Sequence, residues 1–196
     1  MKTKIFLLFF AVITLTATSW AQTSPSKTYK GQKIGIANFG QMDERFFRGE
    51  RPTQKDLALL KSIGIDTIID LTDNTPGEAK MAQAAGLRYV NIPIHDRAIP
   101  TDAAIELFRK TLKDPATGKF YLHCAGGRHR TGDMGAVYRA DQGWTYEKAY
   151  KEMENYDFYT SGGHQAQKDF VLEYFKKMAA RPVDVIGVKK GKDSGQ

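Results

Sequence analysis

The chain holds a single cysteine, Cys124, among 196 residues, so no disulfide can form within it and packing alone must hold its core. Beyond an N-terminal apolar run that is too short to span a membrane comfortably it has no second hydrophobic span, and it shows no internal repeat or low-complexity segment. No Gly-Lys-Ser/Thr follows its glycine-rich region, which argues against a Walker-type nucleotide loop. His123, Cys124 and His129 lack a fourth partner and a recognised spacing for zinc, so no metal or other cofactor is expected. Basic residues are dispersed, without an aromatic-basic RNA signature or finger spacing, so nucleic acid is not an expected partner.

What is there suits one globular domain: 41% of residues are apolar and 26% charged. The first residues form a basic start, "MKTK", an apolar run, "IFLLFFAVITLTATSW", and the small-x-small triplet Ser19-Trp20-Ala21. They read as a signal peptide over 1–21, cut after Ala21, with an uncleaved membrane anchor as the alternative, followed by a flexible lead-in (22–32), a domain (33–180) and a solvated tail (181–196). The mature protein is then expected to be exported, periplasmic or secreted, with no stable membrane insertion. Removing Lys2 and Lys4 takes the formal charge from +7 to +5, a bias toward anionic partners.

Along the chain, "KIGIANF" and "RFFRGE" read as short strands. Thr53 with Asp56 forms a capping box ahead of a helix that ends at Gly64, and "DTIIDL" is a buried strand. A second helix is expected over 76–85, then the strand "LRYVNIPI". Thr101 caps a third helix, and "KFYLH" is the strand that runs into the cysteine. Helices over 131–141, 145–156 and 165–179 complete the domain. This alternation predicts an α/β fold with a central, mostly parallel sheet flanked by helices, because parallel neighbours need helical crossovers.

The stretch "HCAGGRHRTG" (123–132) therefore lies between a strand and a helix. A glycine-rich turn there can point successive backbone N–H groups into one concavity, and the positive end of the helix reinforces it. Arg130 can add a planar fork that holds two phosphate oxygens, and the same field favours the thiolate of Cys124. A sulfur-transfer enzyme also uses a loop-borne cysteine, and a buried structural cysteine is the ordinary alternative. The second leaves the glycines and Arg130 without a reason.

His123-Cys124-(x5)-Arg130-Thr131 resembles the signature of the cysteine-based protein-tyrosine phosphatase superfamily. Its late position, and the segment "FFRGERPTQKDLALLKSIGIDTIIDL", are similar to the dual-specificity and atypical branch. The resemblance implies catalysis by Cys124, Arg130 and Thr131, the last hydrogen-bonding the departing thiolate. It also implies substrate contacts from Ala125, Gly126, Gly127, Arg128 and His129, a scaffold role for His123, and an aspartate acid on a segment upstream. Asp96, 28 residues before Cys124, sits in such a loop. Asp102 competes, but after Thr101 it is explained as a first-turn helix residue. Arg97, Arg128 and His129 add positive or polar groups beyond those one phosphate needs, and "GRHRTG" is similar to loops of phosphatases acting on inositol phosphates. The expected partner is a phosphorylated small molecule, an inositol polyphosphate first, or a phosphoprotein. Phosphotyrosine needs an aromatic wall that the sequence does not locate. A phospho-binding module without catalysis is the remaining reading. Arg48, Arg51 and His164 are candidates for the mouth of the site, with surface or loop roles as alternatives.

Overall fold

Residues 67–70 and 120–123, "TIID" and "FYLH", are buried at every position, as strands flanked by helices on both faces must be. The computed structural model describes residues 28, 29, 31–73 and 75–180. The expected signal peptide, positions 22–27 of the lead-in and the tail 181–196 lie outside the described residues.

A two-stranded antiparallel ribbon, β1 (Thr28–Tyr29) and β2 (Gln32–Lys33), precedes a five-stranded sheet. That sheet contains β3 (Gly40–Gln41), β4 (Phe46–Gly49), β5 (Thr67–Asp70), β6 (Arg88–Asn91) and β7 (Phe120–His123), in the order β3-β4-β7-β5-β6. Only the β3–β4 pair is antiparallel. The helices are α1 (Gln54–Ser62), α2 (Glu78–Ala84), α3 (Asp102–Lys113), α4 (His129–Asp141), α5 (Tyr146–Glu154) and α6 (Gln165–Ala179).

Because strand side chains alternate between faces, Ile68, Phe47 and Tyr121 pack with Leu57 and Leu60 of α1. Their neighbours Ile69, Phe46, Phe120 and Leu122 pack with Ile105 and Phe108 of α3 and Met134 and Val137 of α4. A third cluster joins α4, α5 and α6 through Ala136, Met153, Phe158, Val171 and Phe175. α4 is thus buried on nearly every side, between the sheet and two helices.

The helix caps behave as their residues dictate. Thr53 accepts from the Asp56 N–H while the Asp56 carboxylate accepts from the Thr53 N–H, and Thr101 accepts from Ala104. Two expectations are corrected. "KIGIANF" is not a strand: only Lys33 of it pairs, while Ile34, Ile36 and Phe39 are buried from a turn in which Asn38 has φ 53°. Burial of alternate residues was met by a bent loop lying on α1's side of the sheet. The helix after β7 begins at His129, two residues before its expected start, so it rises directly from the loop.

Register decides where the site lies. Gly49, His123 and Asp70 are partners across β4, β7 and β5, so the three parallel strands end level. The carboxyl ends of such strands are where an open α/β sheet forms its crevice.

Candidate active site

Cys124 follows β7 at this edge. It is only 3% exposed, yet it is not sealed in: it borders a cavity of about 160 Å³ whose wall also includes Asp96, Ala125, Gly126, Arg128, His129, Arg130, Tyr159 and His164. Larger cavities, of about 600 and 470 Å³, lie against α5–α6 and α3–α6, away from Cys124.

The loop's carbonyls explain the cavity. His123 Nδ1 lies 3.3 Å from the Cys124 carbonyl, the Arg51 N–H donates to the Ala125 carbonyl (3.1 Å), and Asn38 Nδ2 donates to that of Gly126 (2.9 Å). Arg48 Nη2 donates to the Gly127 carbonyl at 2.6 Å and, more weakly, to that of Arg128 at 3.4 Å. Five consecutive carbonyls are therefore tied off on one side. In a trans peptide the next residue's N–H points the opposite way, so the amides after them turn toward the cavity, and α4 adds its N-terminal end. This is an anion cradle built by its backing.

The guanidinium of Arg130 faces the same cavity. Its Nη1 donates to the Ile94 carbonyl (3.0 Å), and its Nη2 is 3.5 Å from Asp96 Oδ1. Asp96 is mostly exposed on the turn after β6, while Asp102 sits in the first turn of α3 and borders a different cavity. Of the two aspartates, only Asp96 shares the wall with Cys124.

Behind the cradle, His123 Nε2 lies 2.7 Å from Glu78 Oε1, at an angle too oblique for a hydrogen bond, and His123 Nδ1 is 3.8 Å from Asp70 Oδ1. All three side chains are fully buried. Burial pushes the Asp70 carboxyl up, but His123 beside it and hydroxyl and amide donors from Thr72 and Thr75 outweigh this and hold it below the ordinary carboxylate value. Asp70, Glu78 and His123 are the grouping among the described residues spaced to suit a metal ion. Asp70, however, already accepts from Thr72, Thr75 and Tyr89, so it is not a free ligand.

On the opposite wall the rings of His129 and His164 stack at 3.4 Å and 2°, with Tyr159 edge-on to both. Burial, together with the neighbouring His164, pushes His129 down to about 4, so its ring is neutral at physiological pH. His164 Nδ1 donates to Gln167 Oε1 (2.6 Å), and Gln167 Nε2 donates to Asp133 (2.9 Å). Burial lifts the Asp133 carboxyl well above its ordinary value.

The expected substrate contacts divide accordingly. Ala125, Gly126, Arg128 and His129 line the cavity. Gly127 and Arg97 do not: the Gly127 carbonyl is held by Arg48, and Arg97, at φ 61°, is largely exposed beside Asp96 with its chain against Gly163. Thr131 is fully buried, and its hydroxyl has no hydrogen-bond partner in this structure. Arg48, a candidate for the mouth, is instead 1% exposed beneath the loop, because β4 is covered on both faces. Arg51 reaches back toward Glu78 at 3.7 Å. Sequence reasoning missed Tyr159, Gln167, Asp133, Glu78 and Asp70. Tyr159, Gln167, Asp133 and Glu78 stand in no local pattern that separates them from ordinary surface, loop or helix residues, whereas Asp70, a carboxylate inside the buried strand "DTIIDL", carried a signal that went unused.

Residues 21–173 match the family described as DSP-PTPase phosphatase fused to NAD+ kinase. The chain is 32% identical over 103 residues to 197R of Invertebrate iridescent virus 6, a candidate tyrosine phosphatase, covering 48% of this chain and 38% of that protein. It is 23% identical over 125 residues to the inositol diphosphatase DSP3 of Arabidopsis thaliana, covering 60% of this chain and 61% of that one. The chain thus spans less than two thirds of the length of either relative. In fold it is similar to the core catalytic domain of the PP-IP phosphatase SIW14 from S. cerevisiae (TM-score 0.62, 17% identity, 71% of this chain and 86% of that chain). It is also similar to P. aeruginosa TpbA (TM-score 0.61, 23% identity, 72% and 88%).

Proposed function

Since the chain belongs to this DSP-PTPase family, we propose that it is a phosphatase that cleaves phosphate esters through a cysteinyl-phosphate intermediate, acting first on inositol polyphosphates or similarly multiply phosphorylated molecules. The observation that carries the chemistry is the shared wall of Cys124, the loop residues, Arg130 and Asp96 around one small cavity.

In the first step the Cys124 thiolate attacks phosphorus in line, while Arg130 and the loop amides hold the equatorial oxygens. The bond to the leaving oxygen breaks as Asp96 hands that oxygen a proton. In the second step a water attacks phosphorus, Asp96 takes its proton, and the sulfur–phosphorus bond breaks to return the thiolate. Thr131, in the position that follows the arginine, hydrogen-bonds that thiolate as it leaves.

Cavity size supports a division of labour in substrate choice. At about 160 Å³ it falls well below the roughly 300–1,000 Å³ of pockets that enclose whole small molecules, so it seats one phosphoryl group and leaves the rest of the substrate at the rim. There Arg128 and Arg97 present cations, each loosely associated with an acidic neighbour (Asp157 at 3.8 Å and Asp96 at 3.9 Å), and further phosphates would meet them. A second reading, phosphotyrosine, is favoured by the wall of Tyr159, His129 and His164, which offers ring faces and edges to an aryl group.

Phosphate release from inositol hexakisphosphate and from a phosphotyrosine peptide, measured side by side, tests both. A clear preference for the peptide overturns the first reading in favour of the second. Cys124→Ser should abolish turnover and keep phosphate affinity; retained turnover would remove Cys124 from the mechanism. We also place the protein outside the cytoplasm on the strength of residues 1–21; N-terminal sequencing of the protein recovered from the periplasm or medium should begin at Gln22.

A further inference from the structure

Arg48 is the largest fully buried side chain among the described residues. Such a guanidinium normally has a carboxylate partner, because an uncompensated buried charge is costly. Here no described carboxylate pairs with it. Nη2 donates to the Gly127 and Arg128 carbonyls, Cζ lies 4.3 Å above the Tyr156 ring, and Nε has no hydrogen-bond partner. Burial pushes Arg48 down to about 10, which leaves it cationic at neutral pH.

The groups facing it from each neighbouring element can be taken in turn. Tyr121 on β7 and Tyr156 after α5 are both pushed up by burial and stay neutral phenols. Asp133 on α4 is pushed well up by burial, which disfavours its charged form, and it is bonded to Gln167 at 2.9 Å. Glu152 on α5 is committed to Arg139, at 2.9 and 2.8 Å. Cys124 opens the loop whose Gly127 and Arg128 carbonyls Arg48 holds, and its charged form would favour the Arg48 cation. Interaction between two charges is reciprocal, so whatever a thiolate contributes to Arg48, Arg48 returns to the thiolate.

We propose that Arg48 is a positioning residue that supplies, from behind the loop, a second cation for ionising Cys124, while its hydrogen bonds to Gly127 and Arg128 keep the cradle's amides turned toward substrate. Arg130 approaches the nucleophile from the cavity side; Arg48 acts from the sheet side, out of contact with substrate and beyond the reach of salt. The inference rests on Cys124 being the attacking thiolate.

The lone cysteine makes the test clean, because alkylation by iodoacetamide reports on Cys124 alone. Its rate is measured against pH for the wild type, Arg48→Gln and Arg48→Lys, with folding checked by a cooperative urea transition. Gln keeps a neutral donor for the loop carbonyl and removes the charge. It should displace the pH–rate profile to higher pH and slow alkylation at pH 6 about tenfold, the low end expected for losing a nearby opposite charge. Lys should restore most of the shift. A folded Gln variant with the wild-type profile, or a Lys variant displaced as far as Gln, overturns the proposal. Arg130→Met provides an arm that leaves Arg48 untouched: its alkylation at pH 6 should stay faster than that of free cysteine in the same buffer, and a fall to the free-thiol rate would show that Arg48 contributes nothing. Should the wild type itself alkylate as an ordinary thiol, the nucleophile reading fails instead, which keeps the two failures apart.

Discussion

Gly127→Ala is the sharpest perturbation of the cradle. Gly127 has φ +66°, and a Cβ added there would lie 2.3 Å from the carbonyl carbon and oxygen of Gly49 and 2.6 Å from the Glu50 nitrogen. These are backbone atoms at the end of β4, so no side chain can swing aside. The left-handed conformation costs an alanine about 1–2 kcal/mol, and forcing a methyl into a filled space adds about 1–3 kcal/mol. A total near 3 kcal/mol lowers Tm by roughly 6–12 °C for a domain of this size. Relief requires the loop to withdraw by about 1 Å from β4, which stretches the Arg48 bond to the Gly127 carbonyl and misaims the amides. A displacement of that size costs about 100-fold in rate. The assay is kcat/KM on an aryl phosphate beside a thermal melt, with Gly126→Ala as control. At Gly126 a Cβ meets only Arg128 Nη1 at 3.6 Å and φ is not positive, so its Tm should stay within about 2 °C of wild type. A Gly127→Ala protein with unchanged Tm and activity within threefold would refute the claim that β4 sets the position of the loop.

Two further outcomes are expected. Asp96→Asn should slow phosphate esters with poor leaving groups far more than activated aryl phosphates, whereas Asp102→Asn should leave both near wild type; equal losses on both substrate types in Asp96→Asn would point to another acid. Because burial holds His129 at about 4 rather than 6.5, the unfolded chain takes up a proton there before the folded one does. The neutral ring therefore contributes stability that is complete above pH 6.5 and lost as pH falls toward 4. Urea titrations between pH 7 and 4 should show this slope, and His129→Gln should flatten it; an unchanged slope would mean that other groups carry it.

Much of the site was legible locally. A strand, a glycine turn and a helix in sequence are enough to predict an anion cradle with Cys124 and Arg130 upon it. Asp96 could be ranked above Asp102 because Thr101 already explained the latter as a first-turn residue. What was illegible depended on strands far apart in the chain. "KIGIANF" has the composition of a strand, but its apolar side chains are buried from a bent loop, with Asn38 reaching Gly126. Arg48 read as a candidate for the mouth of the site or as a surface charge, yet β4 lies between β3 and β7 and is covered on both faces. Its surroundings include residues about eighty and a hundred positions away.

Amino-acid order alone determined the chemistry that one short segment can hold, because nucleophile, turn and helix start are contiguous and their geometry is local. Only the tertiary structure decided what stands behind that segment: Arg48, Asn38 and His123 tying its carbonyls, Asp96 opposite Arg130, and the rings of Tyr159 and His164 closing the wall. Those neighbours meet because three parallel strands end level, and strand register is a property of the whole sheet rather than of any stretch of chain.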